Sequence, residues 1–111
     1  MTDEKIIEAL ETFDIPVGNK RMYENELDGK YHYFIFRRAR LNSSGCGRYT
    51  RKIAVVYVYE GEQKISDFSV INKMEELGLN FEGMDNDEIQ LASTNDWIDM
   101  NTYTFSRPER G

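Results

Sequence analysis

The chain has 111 residues, 40% of them hydrophobic and 31% charged, with a formal net charge of −6. That length supports one domain around one core, and the apolar fraction is too high for a disordered chain. The acidic balance gives no whole-chain reason to expect nucleic-acid binding.

The first predicted element is a helix. Thr2 suits its N-cap, Asp3 and Glu4 suit its positive end, and Ile6, Leu10 and Phe13 recur at i, i+4, i+7, with Ile7 widening the stripe. Pro16 stops it, because the residue before a proline is pushed out of the α region, and Ile15-Pro16-Val17 reads as an extended exit toward a sheet. Gly18–Asp28 is polar; a short edge strand is predicted near Met22–Glu26 and a turn at Asp28-Gly29.

Two strand-like runs follow, Tyr31–Arg40 and Arg51–Glu60, holding most of the β-branched and aromatic residues. Tyr31, Tyr33 and Ile35 share one face of the first, and His32, Phe34 and Phe36 the other. In the second, Ile53, Val55, Tyr57 and Tyr59 oppose Ala54, Val56 and Val58. Both faces are therefore apolar, whereas a half-exposed antiparallel pair alternates. The chain's own helices can cover one face; something else is expected to cover the other, which points to assembly rather than catalysis. Between the runs, Leu41–Thr50 contains Asn42-Ser43-Ser44-Gly45-Cys46-Gly47 and is expected to be a mobile, partner-contacting loop with a basic rim.

After Gly61 the period changes. Ile65, Phe68, Ile71 (or Val70), Met74 and Leu77 mark an amphipathic helix, with Ser66 or Asp67 as its cap and Gly78 in the left-handed position past its end. Leu79-Asn80-Phe81 re-enters the fold as a strand or strand-like loop. Met84–Asn95 is acidic, with Glu88–Leu91 weakly strand-like. Asp99–Arg107 alternates, Asn101, Tyr103 and Phe105 against Thr102, Thr104 and Ser106, as a strand at or near an edge; from about Arg107 a short charged tail is expected. The order helix, strands, helix, strands predicts a single α+β domain over 1–111: a largely antiparallel sheet of four to five strands with two helices packed on one face.

Charge is unevenly spread. Arg37, Arg38, Arg40, Arg48, Arg51 and Lys52 cluster around the central turn, while Asp85–Asp99 is acidic. Such asymmetry either sets up head-to-tail contacts between identical subunits or marks solvated strand ends. Trp97, the single tryptophan, sits in a polar neighbourhood and anchors either the last strand in the core or an interface.

Reaction chemistry has little to build on. His32 is the single histidine and lies in the aromatic strand, reading as a packed or edge residue; Cys46 is the single cysteine, so no intrachain disulfide forms and a reducing cytoplasm is the natural compartment. Neither gives a metal set, and nothing positions them as a Cys–His pair. Asp85, Asp87 and Glu88 lack the glycine and the final glutamate of a calcium loop, and a solvated acidic loop is expected there. Gly45-Cys46-Gly47 lacks the rest of a phosphate loop. No cofactor, metal or enzymatic activity is expected. The N-terminal stretch lacks the apolar run of a signal peptide, and no segment approaches the roughly 20 apolar residues of a membrane span.

In layout the chain resembles the small tail-terminator (tail-completion, minor tail) proteins of long-tailed phages and prophages. The likeness runs through "DIPV" (Asp14–Val17), "YHYFIF" (Tyr31–Phe36), "RKIAVVYVYEG" (Arg51–Gly61), "MEELGLNF" (Met74–Phe81) and "NTYTFS" (Asn101–Ser106). It implies a non-enzymatic virion protein, assembled in the host cytoplasm. Such a protein forms a ring, typically hexameric, on the head-proximal end of the tail tube, stopping tube polymerisation and joining tail to head. Its partners would be itself, the tail tube protein and the head–tail connector proteins. Contacts in such proteins vary too much to transfer singly. The candidate interface residues here are Arg40, Arg48, Arg51 and Lys52 around the basic turn, and Trp97. The alternatives are another head–tail connector, such as a head-closure or adaptor protein, and a small nucleic-acid-binding regulatory domain whose aromatic strand beside arginines stacks on bases.

Overall fold

The computed structural model describes residues 3–15, 17–18, 32–45, 47–90 and 97–110. Among these residues two helices, α1 (Asp3–Glu11) and α2 (Asp67–Glu76), accompany five strands: β1 (Val17–Gly18), β2 (His32–Gly45), β3 (Arg48–Glu60), β4 (Asn80–Gln90) and β5 (Trp97–Arg110). They form one sheet in the order β1-β2-β3-β5-β4. Every neighbouring pair is antiparallel except β1–β2, where Val17 and Gly18 run alongside Phe34 and Ile35. The α+β class, with a mostly antiparallel sheet and two helices, is as the sequence predicts. From β3 the chain crosses through α2 to the edge at β4, and β5 then returns between them.

Local chemistry sets the helix ends. Ser66 is extended (φ −70°, ψ 149°) and its Oγ accepts from the Ser69 N–H at 3.1 Å, leaving Asp67 free to enter the first turn. At the other end Gly78 takes φ +88°, and the Leu79 N–H returns to the Met74 carbonyl at 3.3 Å. The residue expected to cap α1, Thr2, lies outside the described residues. That helix ends at Glu11, before Pro16, and the chain reverses through Asp14 at φ +62°, a conformation aspartate tolerates.

Ile6 and Leu10 of α1 and Val70 and Met74 of α2 pack on Phe34, Phe36, Ile53, Val55, Tyr57, Tyr103 and Phe105, so both helices share one face. The expected α2 stripe is corrected at Phe68, which is 74% exposed, while Val70, the alternative to Ile71 in that stripe, is fully buried. The two lie about 200° apart around a helix, so only one can face the sheet. The opposite face also differs from expectation. Tyr33, Ile35, Val56, Val58 and Ile98 form a second cluster there, each no more than 7% exposed within the single chain. It is therefore not left open for assembly.

Three segments read as irregular are strand. The expected loop Leu41–Thr50 is the end of a long hairpin: β2 continues to Gly45, β3 begins at Arg48, and Gly45 pairs with Arg48, with bulges at Arg38/Arg40 and Ser43/Gly45. Positive φ at Gly45 (+87°) and Gly47 (+74°) permits the tight reversal. The expected tail stays in β5, with Pro108 opposite Thr50 and Arg110 opposite Arg48. β4 begins opposite Ser106, so β5 is an edge strand from Arg107 onward, where a proline is tolerated. The solvated loop expected around Asp85 and Asp87 is likewise strand: it joins the strand-like readings at Asn80-Phe81 and Glu88–Gln90 into one exposed edge strand, Asn80–Gln90, bulged between Phe81 and Gly83. The strand expected near Met22–Glu26 and the Asp28-Gly29 turn lie outside the described residues.

Candidate functional site

Pairing of β2, β3 and the end of β5 carries basic residues into one arm at one end of the sheet. Arg40 stands opposite Lys52, Arg51 opposite Arg107, and Arg48 opposite Arg110. Arg37 and Arg48 are exposed, Arg51 and Lys52 are half-buried, and Arg107 is buried. Lys52 makes an ion pair with Glu82 in the β4 bulge, and the hydrogen bonds from Lys52 and then Ser106 hold that carboxyl below its ordinary range. Leu41, opposite Arg51, is 43% exposed and gives the arm an apolar spot. The sequence brings the turn arginines together; it does not show that Arg107 and Arg110 join them, because Pro108 reads as the end of the strand.

At the other end the sheet is acidic. Asp85, Asp87 and Glu88 are exposed along the second half of β4, the sheet's outer strand. Trp97 starts β5 opposite Gln90 and is 54% exposed, so it does not anchor the core; Ile89, opposite Ile98, is 47% exposed. Trp97 and Arg110 stand at opposite ends of one 14-residue strand, about 40 Å apart at the usual strand rise. The long axis of the molecule, 52 Å against 26 and 23 Å, thus has a basic end and an acidic end with apolar side chains.

Between these ends lies a polar network under the start of α2. Asp67 Oδ1 accepts from the Tyr103 hydroxyl at 2.6 Å, from Gln63 Nε2 at 2.7 Å and from Asn101 Nδ2 at 3.4 Å; Asn86 Nδ2 donates to Asn101 Oδ1 at 2.5 Å. Burial first, and then the bond to Asp67, raise the Tyr103 pKa far above the ordinary tyrosine range, so the hydroxyl stays a donor. On the neighbouring strands, His32 Nε2 lies 2.6 Å from the Tyr57 hydroxyl, and burial, with Lys64 nearby, lowers the histidine pKa. These groups hold α2 and β2 to the sheet. Among the described residues no three His, Cys, Asp or Glu side chains gather as a metal set, and no helix is long and apolar enough to cross a membrane. Cys46 lies outside the described residues.

No protein-family model matches the chain, and no curated protein matches it.

Proposed function

We propose that this protein is a structural, non-enzymatic subunit that assembles with copies of itself into a ring. The ring sits at the head-proximal end of a phage tail tube, where it ends polymerisation and joins tail to head. The observation that carries the reading is the separation of charge along the long axis: basic residues on the β2–β3–β5 arm, acidic ones on β4. Subunits polarised in this way fit head-to-tail contacts, which close into rings or continue as tubes. The layout shared with tail-terminator proteins supplies the tube end as the site of action and the virion as the location. Another head–tail connector shares this physics and differs in its place in the particle. The deciding experiment adds the purified chain to assembling tail tubes and measures particle mass and tube length. Rings at one tube end, with tube growth stopped, are expected; tubes that neither bind the chain nor change in length refute the reading.

A second reading, a nucleic-acid-binding regulatory domain, is favoured by the arm alone, where Tyr49 lies next to Arg48 in β3. It predicts RNA or DNA affinity that falls linearly in log affinity against log salt. Affinity absent at low salt removes it.

A further inference from the structure

We infer that the outer edge of β4 is the acceptor for the basic β2–β3 arm of a second copy of this chain. This deepens the self-assembly reading above and rests on its subunit–subunit part. β4 runs for 11 residues at the margin of the sheet, and among the described residues no strand pairs with its outer side. An unpaired edge of this length is a template for another chain, and carboxylates on it decide which chains are admitted. Asp85, Asp87 and Glu88 oppose a second β4, since that arrangement sets like charges side by side, so a two-fold β4–β4 dimer is disfavoured. They favour a cationic partner, and the chain carries one.

The arm offers cations to such a partner. Arg37 on β2 and Arg48 at the start of β3 are exposed, and exposed guanidinium groups set beside exposed carboxylates make a complementary contact. Apolar side chains also match at the two ends, Leu41 on the arm and Ile89 and Trp97 at the acidic end. Because donor and acceptor are different surfaces, each copy offers one of each, and the contact repeats around a ring.

Charge exchange tests this. D85K/D87K and R37E/R48E change exposed residues, so each variant keeps its fold, checked by circular dichroism; D85N/D87N and R37Q/R48Q stand in for a pair that does not fold. Sedimentation equilibrium at low salt is expected to show wild type self-associating, with each double variant weakened by about tenfold or more. An equimolar mixture of the two charge-reversed variants regains association, since the basic β4 of one then meets the acidic arm of the other. Variants that associate like wild type, a mixture that stays monomeric, or a wild type monomeric at low salt each overturn the edge–arm contact. Tube capping is measured separately: a wild type that caps tubes without charge-dependent self-association refutes only this contact. Charge-dependent rings that ignore tubes refute only the tail reading.

Discussion

Tyr103→Phe removes one oxygen from the network that fixes α2. Tyr103 is fully buried, and its hydroxyl donates at 2.6 Å to the Asp67 carboxylate, an interaction between a neutral donor and a charged acceptor. Hydrogen bonds to charged groups contribute about 1.5–3 kcal/mol. The lower part of that range applies, because Asp67 Oδ1 keeps Gln63 Nε2 at 2.7 Å and the carboxylate is not orphaned. The expected loss is therefore about 1.5–2 kcal/mol, or roughly 5–8 °C in Tm for a domain of this size. Urea denaturation at neutral pH gives the first figure.

An alkaline series gives an independent readout. The unfolded chain releases the Tyr103 proton near pH 10 while the folded chain retains it, its pKa being raised by burial. This contribution is fully present below about pH 10 and declines above it by up to about 1.4 kcal/mol per pH unit, until the raised folded value is passed. Y103F lacks it, so the gap between the two proteins should narrow above that pH. A neutral-pH difference under about 0.5 kcal/mol, or a gap that stays constant into the alkaline range, would show that this hydroxyl does not hold the helix.

Tyr57→Ala empties a fully buried site between Phe34 and Tyr59 and should cost about 3–5 kcal/mol, read as a fall in the urea midpoint. His32 has a lowered folded-state pKa, so the unfolded chain takes up the proton first. Stability should fall as pH drops from about 7.5 to 5.5, and His32→Gln should flatten that limb of the midpoint profile. Gly78→Ala forces a side chain into φ +88° and should cost about 1–2 kcal/mol by thermal melting.

What the sequence discloses depends on whether the cause is local. Ser66 and Gly78 mark the ends of α2 because a cap and a left-handed residue act within one turn, and the aromatic halves of β2 and β3 are legible because their alternation is driven by burial. Which side of α2 meets the sheet is not local: three- and four-residue spacing admits Phe68 together with either Ile71 or Val70, and the sheet buries Val70 and leaves Phe68 outside. The arm and the middle of β4 were hidden for a different reason. Asn42, Ser43, Thr50, Asp85 and Asp87 lie where no core imposes alternation, and their strands exist through backbone pairing with neighbours distant in sequence. Trp97 was ambiguous between core and surface because its burial is set by where β5 begins. The closure of the second sheet face was equally invisible, since apolar residues on a face do not say what lies over it.

That closure moves the weight of the self-assembly reading from hydrophobic area to electrostatics. With Tyr33, Ile35, Val56 and Val58 already buried, the large exposed apolar groups among the described residues are scattered, Leu41 at one end, Ile89 and Trp97 at the other, Phe81 at the start of β4 and Phe68 on α2. Scattered groups of this kind are ordinary on a monomer and do not drive association by themselves. The charge arrangement is less ordinary. Exposed Arg37 and Arg48 stand toward one end of the long axis, and exposed Asp85, Asp87 and Glu88 toward the other. Charge separated in this way favours contact between the unlike ends of two copies. Self-association carried by such contacts should be weak, strongly salt-dependent and readily reversed, because rim charges act mainly on encounter rate and register. Those properties suit a subunit that must remain dispersed until an end surface gathers several copies.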